Sequence, residues 1–212
     1  YTNQGAAGVT LRPEAGGCAQ GGLVLYPAGK QGCERLLDNV EFSGAALAKA
    51  ESSEHRLLYA TPELRQSLHL SGTARITLKL ASSKPAANLS VWLVVLPWTE
   101  DLIGPANLIT RGWADPQNHA SLNKGGDYHS FVPGQPLTPG RFYQMTFDLE
   151  PDDQVIPAGK RIGLMVFSSD RDFTLWPKPG TELTVDLDGT RLYLPVVGGK
   201  TRFKEATRGR QP

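Results

Sequence analysis

Residues 73–80 read Thr-Ala-Arg-Ile-Thr-Leu-Lys-Leu, a stretch in which polar and apolar side chains alternate without interruption. Because successive side chains of a β-strand point to opposite faces of a sheet, this alternation predicts a strand with one buried and one solvent-facing side. Further along the chain, Leu89–Leu96 carries apolar side chains on both faces. That pattern predicts a central strand covered on both sides, so its sheet must pack against a second layer.

The C-terminal half repeats these patterns between clusters of proline and glycine. The pair Asp188-Gly189 is a strong hairpin signal and predicts that the chain reverses there. One short, alanine-rich stretch, Ala45–Ser53, has the composition of a helix. Seven or eight short strands and one short helix predict an all-β sandwich of two packed sheets. The further predicted strands are Phe142–Leu149, Arg161–Phe167, Thr181–Asp188 and Arg191–Val197.

The two ends of the chain differ from this central part. Residues 1–35 contain eight glycines, which predicts an irregular connector with a short strand at Leu23–Tyr26. Residues 200–212 are polar and basic, which predicts a solvated tail. The β-sandwich domain is therefore expected to span residues 36–199. The sequence begins without an initiating methionine, and we expect the chain to be a piece of a longer protein.

The overall charge is balanced. The 212 residues carry 22 Lys and Arg against 21 Asp and Glu, a formal net charge of +1 at pH 7. This balance predicts neither a nucleic acid nor an anionic membrane as partner. No apolar run approaches the length of about 20 residues that a transmembrane helix needs.

Sequence motifs of hydrolytic, metal or redox chemistry are absent. No serine has glycines two residues before and two residues after it, the arrangement with which a nucleophile elbow exposes its hydroxyl group. The four histidines lie at least ten residues apart, which excludes the two-histidine helix of a zinc peptidase, and no Cys-x-x-Cys pair is present. We therefore predict no catalytic residue, no metal ligand and no cofactor in this chain, which alone should be inactive.

A long predicted loop, Arg111–Pro136, is the first place to look for function or an interface. The loop contains Arg111 and Trp113, and these two residue types dominate buried contact sites. One interpretation is therefore that the loop contacts a ligand or a partner. The alternative is that Trp113 anchors the loop to its own core and that Arg111 pairs locally with Asp115. Asp127–Ser130 holds the residue types of a hydrolytic triad, but neighbours in sequence do not make a triad. The candidate residues are Arg111, Trp113, Asp115, His119, Tyr128 and His129.

Two cysteines, Cys18 and Cys33, lie fifteen residues apart in the glycine-rich stretch. In an oxidising compartment they could form a disulfide, whose loop closure is worth about 3 kcal/mol. Such a bridge would suit a secreted or periplasmic protein. Two unpaired thiols are the other interpretation.

Several segments carry a family pattern in their order and spacing. They are Leu57–Leu64, Leu68–Thr73, Leu89–Leu96, Leu108–Trp113, Pro136–Gly140, Phe142–Leu149 and Val155–Gly163. Together they resemble the C-terminal domain of the Xaa-Pro dipeptidyl-peptidase family of serine hydrolases, which includes cocaine esterase and the α-amino acid ester hydrolases. The resemblance covers two-thirds of the chain. One departure is Lys160, where family members often have histidine, so no role of that imidazole is carried over.

This resemblance implies a jelly roll of the galactose-binding-like kind, in agreement with the strand count. It also implies a larger parent enzyme, an α/β-hydrolase whose Ser, Asp and His all lie upstream of this domain. The implied partner is that catalytic domain, on which this domain would pack to shape access or assembly; a homo-oligomer is left open. Carbohydrate-binding modules share the fold, so a stand-alone module that stacks sugars on tryptophans is the alternative function.

Overall fold

The computed structural model describes residues 6–13, 20–25, 29–99, 107–122 and 134–208. Its strands are β1 Ala6–Pro13, β2 Gln20–Leu25, β3 Cys33–Leu37, β4 Arg56–Ala60, β5 Leu68–Gly72, β6 Arg75–Ser82, β7 Leu89–Leu96, β8 Leu108–Ala114, β9 Phe142–Asp148, β10 Asp152–Ile156, β11 Arg161–Phe167 and β12 Glu182–Pro195. Its helices are α1 Gly44–Lys49 and α2 Gly199–Thr207, and one turn of 3-10 helix spans Pro116–Asn118.

Most strands belong to one large sheet. Their order is β8, β7, β11, β4, β2, β1, β12, β6 and β9, with β3 also paired to β12, while β5 and β10 form a second, two-stranded sheet. The two outer strands of the large sheet, β8 and β9, come close to each other. The backbone N–H of Glu150, just after β9, donates to the carbonyl oxygen of Arg111 in β8 at 2.9 Å. The sheet is therefore nearly closed, and the prediction of an all-β fold with two sheets is confirmed.

The predicted alternation matches the burial of β6 and β7. In β6, Ile76, Leu78 and Leu80 are fully buried inside the sheet, and the polar residues between them are half-buried. In β7, every residue from Leu89 to Val95 is buried. Its inward side chains join the main core, and its outward Trp92 belongs to a second apolar cluster. The covering of both faces that the sequence predicts for β7 is confirmed.

Helix α1 covers the outer face of β7 and β11. Its Leu47 packs in the second apolar cluster with Trp92. A Cβ atom at Gly44 would lie 2.4 Å from the Trp92 ring, so glycine is needed for the helix to come this close. The fully buried Arg56 fixes the end of α1 by donating from Nε to the carbonyl oxygen of Leu47 at 2.9 Å and from Nη2 to that of Ala50 at 2.6 Å.

The structure corrects the prediction of an irregular connector over residues 1–35. β1 and β2 pair with each other and are inserted between β12 and β4, and β3 pairs with β12. Ala7, Val9 and Leu23 are buried in the main core. The backbone supplies every hydrogen bond of a β-ladder, so glycine does not prevent strand pairing. The partner strands β4 and β12 are distant in sequence, so the local composition of residues 1–35 could not reveal them.

The C-terminal segment forms helix α2 where the sequence predicts a solvated tail over residues 200–212. Phe203 and Ala206 of this helix are buried in the main core. These two residues form the side of the helix that faces the core, whereas Lys200 in its first turn is exposed. The described residues thus form two helices instead of the predicted one, and α1 is shorter than the predicted Ala45–Ser53.

The predicted hairpin at Asp188-Gly189 is wrong, because β12 continues through this pair as one strand. The pairing of β12 with β6 shifts in register after Asp186. The Asp186 carboxylate accepts the backbone N–H groups of Asp188 at 3.0 Å and Gly189 at 3.2 Å, so the turn-like hydrogen bonds form within a bulge. A Cβ atom at Gly189 would lie 2.8 Å from the side chain of Lys79, which accounts for the glycine without a chain reversal.

Candidate functional site

Two of the predicted candidate residues, Arg111 and Trp113, lie on β8, so the predicted loop Arg111–Pro136 is wrong at its start. Both side chains meet Phe173, which follows β11. The guanidinium carbon of Arg111 lies 3.9 Å from the centre of the Phe173 ring and 5.2 Å from that of the Trp113 ring. The Trp113 and Phe173 ring centres are 5.1 Å apart. Cation–π attraction therefore joins β8 to the segment after β11.

Asp115 and His119 make local contacts away from this stack. Asp115 begins the 3-10 turn, and its carboxylate accepts the backbone N–H of Gln117 at 2.8 Å. The His119 Nδ1 atom lies 3.1 Å from the carbonyl oxygen of Pro116, and its ring lies 4.3 Å from the Tyr143 ring. Both side chains stabilise the turn that follows β8.

Other predicted candidates fall outside the described residues. Tyr128 and His129 lie there, as does the whole of Asp127–Ser130. Cys18 does too, whereas Cys33 is exposed in β3. The disulfide between the two cysteines therefore stays a prediction.

Asp170, after β11, is a central residue of the site that the sequence did not identify. It has no exposed surface, and its Oδ2 atom accepts both the Trp92 indole N–H at 2.9 Å and the Trp113 indole N–H at 3.0 Å. Burial raises the pKa of the Asp170 carboxyl group, although the two indoles and the charge of Arg111 act in the opposite direction. One buried carboxyl group thus links β7, β8 and the segment after β11.

A hydrogen-bond network fixes the chain on either side of residue 169. The buried Asp38 accepts the backbone N–H of Ser169 at 2.9 Å and its hydroxyl group at 3.0 Å. The Ser90 hydroxyl group donates to the carbonyl oxygen of Ser168 at 2.8 Å. Because these polar groups are buried and paired with one another, they hold the end of β11 in one position.

We call residues 170–176 the contact loop. Its first turn is closed by the backbone N–H groups of Phe173 and Thr174, which donate to the carbonyl oxygen of Asp170 at 2.9 and 2.8 Å. Further along, the amide of Asn88 donates to the carbonyl oxygen of Leu175 at 2.9 Å. The loop backbone is therefore bonded to the sheet near both of its ends.

The contact loop displays large apolar side chains on its outer side. Leu175 is 84% exposed, Trp176 is 63% exposed and Phe173 is 50% exposed. Arg171 lies over the Trp176 ring at 5.5 Å and donates to the carbonyl oxygen of Glu41 at 2.9 Å, which places this group next to the exposed Phe42. Apolar side chains presented by a fixed backbone are typical of a surface that contacts another protein surface.

Two further findings concern metals and membranes. Among the residues that the structure describes, no three His, Cys, Asp or Glu side chains are grouped in a way that could hold a metal ion. Within the same ranges, no helix combines the length and the apolar character needed to cross a membrane.

The chain thus folds as a nearly closed all-β domain with an exposed contact loop. The family model described as the X-Pro dipeptidyl-peptidase C-terminal non-catalytic domain matches residues 2–208. The chain belongs to this family, and the resemblance seen in the sequence is confirmed.

Similar proteins support the assignment. A Rhodopirellula baltica protein assigned by name to the Xaa-Pro dipeptidyl-peptidases is 53% identical over 201 residues, which cover 94% of this chain and 31% of that protein. Among solved structures, an α-amino acid ester hydrolase has a TM-score of 0.62 at 16% identity, over 91% of this chain and 36% of its own. A CocE/NonD family hydrolase from Staphylococcus aureus has a TM-score of 0.60 at 11% identity, over the same shares. The structures show the shared fold, and the chain spans about a third of each relative.

Proposed function

We propose that this chain is the accessory C-terminal domain of a serine dipeptidyl-peptidase or a related acyl hydrolase, and that it packs on the upstream catalytic domain through the contact loop. The upstream domain would supply the Ser, Asp and His that remove N-terminal Xaa-Pro dipeptides or cleave related esters and amides. The observation that carries the proposal is the exposure of Leu175 and Trp176 on a backbone that is bonded to the sheet. The finer description of the fold, a galactose-binding-like jelly roll, is part of the same proposal.

The exposed side chains of the contact loop are large enough to stabilise an interface. Removing a leucine-sized side chain from water contributes roughly 1.5–3 kcal/mol. Because the loop is already fixed by Asn88 and by the hydrogen bonds to Asp170, little further conformational entropy would be lost on docking.

The length of the relatives indicates which partner is available. This chain corresponds to 31% of the Rhodopirellula baltica protein, so most of that relative lies outside it. A domain of the same polypeptide is held at high effective concentration, and interfaces between domains of one chain commonly bury 600–1,500 Å², as a general range. We therefore assign the contact loop to the catalytic domain of the same parent chain.

Leu175→Asp tests the proposed interface, because the substitution should affect the stability of the isolated chain and of the full-length parent differently. In the 212-residue chain alone, Leu175 is mostly exposed, so stability should change by about 0.5 kcal/mol or less. In the full-length parent, the loss of about 1.5–3 kcal/mol of burial should lower the unfolding temperature of this domain by about 3 to 12 °C. Calorimetry of both proteins measures the two effects.

Val155→Asp is the matched control. Val155 is 56% exposed but lies on β10 of the two-stranded sheet, so its substitution should have the same effect in the chain and in the parent. Equal effects of Leu175→Asp in the two settings would reject the contact loop as the interface.

A carbohydrate-binding module is the second candidate, and it is supported by the exposure of Phe173 and Trp176 on one loop. However, the guanidinium groups of Arg111 and Arg171 lie over these rings at 3.9 and 5.5 Å, so one face of each ring is already covered. Titration with oligosaccharides, followed by tryptophan fluorescence in the unmodified chain and in Trp176→Ala, tests this function. A response that does not saturate, or that is equal in both proteins, removes its support.

A further inference from the structure

Two exposed segments of the surface meet at Arg171. One is the contact loop, and the other is the turn before α1, where Phe42 is 41% exposed. The Arg171 Nη1 atom donates to the carbonyl oxygen of Glu41 at 2.9 Å, and the guanidinium carbon lies 5.5 Å from the centre of the Trp176 ring. We call the surface formed by Phe42, Arg171, Leu175 and Trp176 the docking face.

The side chains of the docking face are held in place within the chain. The Trp176 indole N–H donates to the carbonyl oxygen of Arg171 at 2.6 Å. The Phe42 ring stacks on the His55 ring, with their centres 5.0 Å apart. A partner therefore meets a preformed surface, in which one cation contacts an exposed ring and the segment that carries a second one.

Arg171 has no carboxylate partner on this surface. Among the residues that the structure describes, no Asp or Glu side chain forms an ion pair with it. Asp172 follows it in the loop and is exposed, and Glu41 offers it a backbone carbonyl oxygen. A guanidinium group has five N–H donors, so water must solvate most of them in the chain alone.

Docking removes this water. A partner that covers Leu175 and Trp176 also covers Arg171, because its guanidinium group lies over the same Trp176 ring. The burial of a charge is costly unless the charge is paired and its N–H groups are hydrogen-bonded. A backbone carbonyl oxygen satisfies one N–H group, whereas a carboxylate accepts two parallel N–H bonds and also neutralises the charge.

We propose that the catalytic domain of the parent chain presents an Asp or Glu side chain to Arg171, within an apolar surface that receives Leu175 and Trp176. This inference rests on the proposed function and adds the chemistry of the partner surface to it. Arginine and tryptophan are the residue types that most often dominate the binding energy of an interface, which agrees with their place on the docking face.

Arg171→Met tests the proposed ion pair, because it removes the charge and keeps a long, unbranched side chain beside Trp176. In the 212-residue chain alone, the unfolding temperature should fall by about 4 °C or less, because an exposed cation–π contact is weak. In the full-length parent, the fall should be larger by about 4 to 20 °C, because the carboxylate of the partner is left buried and unpaired. Calorimetry of both proteins measures the two changes.

Arg141→Met is the matched control. The Arg141 guanidinium carbon lies 5.4 Å from the centre of the Tyr143 ring, so a similar contact is lost, but Arg141 lies just before β9 and outside the docking face. Its effect should be equal in the chain and in the parent. Equal effects of Arg171→Met in the two proteins would overturn the proposal. A smaller fall or a rise in the parent would also overturn it, because removal of a charge from a purely apolar interface is stabilising.

Carbodiimide coupling identifies the carboxylate. Arg171→Lys in the parent places an amine at position 171, and the reagent joins that amine to a carboxylate in contact with it by an amide bond, while the carbodiimide takes up the water that is released. Peptide mapping by mass spectrometry should find the bond to an Asp or Glu side chain upstream of the 212 residues. A bond only to Glu41 or Asp172, or a bond between two copies of the chain, would overturn the proposal.

The docking and the ion pair can fail separately. A larger effect of Leu175→Asp in the parent than in the chain, together with equal effects of Arg171→Met, would keep the docking and reject the carboxylate. Equal effects of Leu175→Asp in the two proteins would reject the docking itself.

Discussion

Trp113→Phe removes one of the two indole hydrogen bonds to Asp170 and keeps an aromatic ring beside Arg111 and Phe173. A hydrogen bond to a charged group contributes about 1.5–3 kcal/mol. The smaller ring also loses part of an aromatic contact that is worth about 0.5–1.5 kcal/mol. We therefore expect the free energy of unfolding to fall by about 2–4 kcal/mol, as measured by urea denaturation of the 212-residue chain.

A double-mutant cycle separates the hydrogen bond from the ring packing. In the Asp170→Asn background, Trp113→Phe removes only a hydrogen bond between neutral groups, worth about 0.5–1.5 kcal/mol, so the two substitutions should be coupled by about 1 kcal/mol or more. Trp113→Phe combined with Asp172→Asn should be additive within about 0.5 kcal/mol. Additivity in the first cycle would refute the expectation, on which this prediction depends, that Trp113 donates to an ionised carboxylate at Asp170.

The remaining predictions concern the two helices. Phe203→Ala should destabilise the chain by about 3–5 kcal/mol in urea denaturation, because Phe203 is only 2% exposed and packs in the core. As a control, Lys200→Ala at an exposed position of the same helix should change stability by about 0.5 kcal/mol or less. Equal effects would mean that α2 does not pack on the sheet. Gly44→Ala should cost about 1–3 kcal/mol and alter the fluorescence of Trp92, because the new Cβ atom would lie 2.4 Å from its ring. An unchanged stability would contradict the close approach of α1 to β7.

The strands that sequence analysis predicted well are those with a strong period of two. Leu89–Leu96 and Arg161–Phe167 have the predicted bounds, and Phe142–Leu149 differs from β9 by one residue. The elements that it missed depend on distant partners. β1 and β2 contain glycine-rich sequence that becomes regular only between β4 and β12, and the Asp188-Gly189 pair becomes a bulge because β6 continues alongside it.

The candidate site could be predicted only in part. Arg111 and Trp113 stood out by residue type, but nothing in the local sequence showed that they lie on a strand beside the segment after β11. The local sequence did not point to Asp170, because its two indole donors, Trp92 and Trp113, are distant in sequence. Leu175 and Trp176 lie next to a cluster of prolines and glycine, which indicates a loop but not the exposure of its side chains.

The measurement that tests the central claim most directly is the hydrolysis of a chromogenic Gly-Pro anilide by this chain alone, beside the full-length parent at equal concentration. The account predicts hydrolysis by the parent and none by the 212-residue chain, because the catalytic Ser, Asp and His would all lie in the upstream domain. Hydrolysis by the chain alone would contradict the assignment of a non-catalytic domain and would return attention to Asp127, His129 and Ser130.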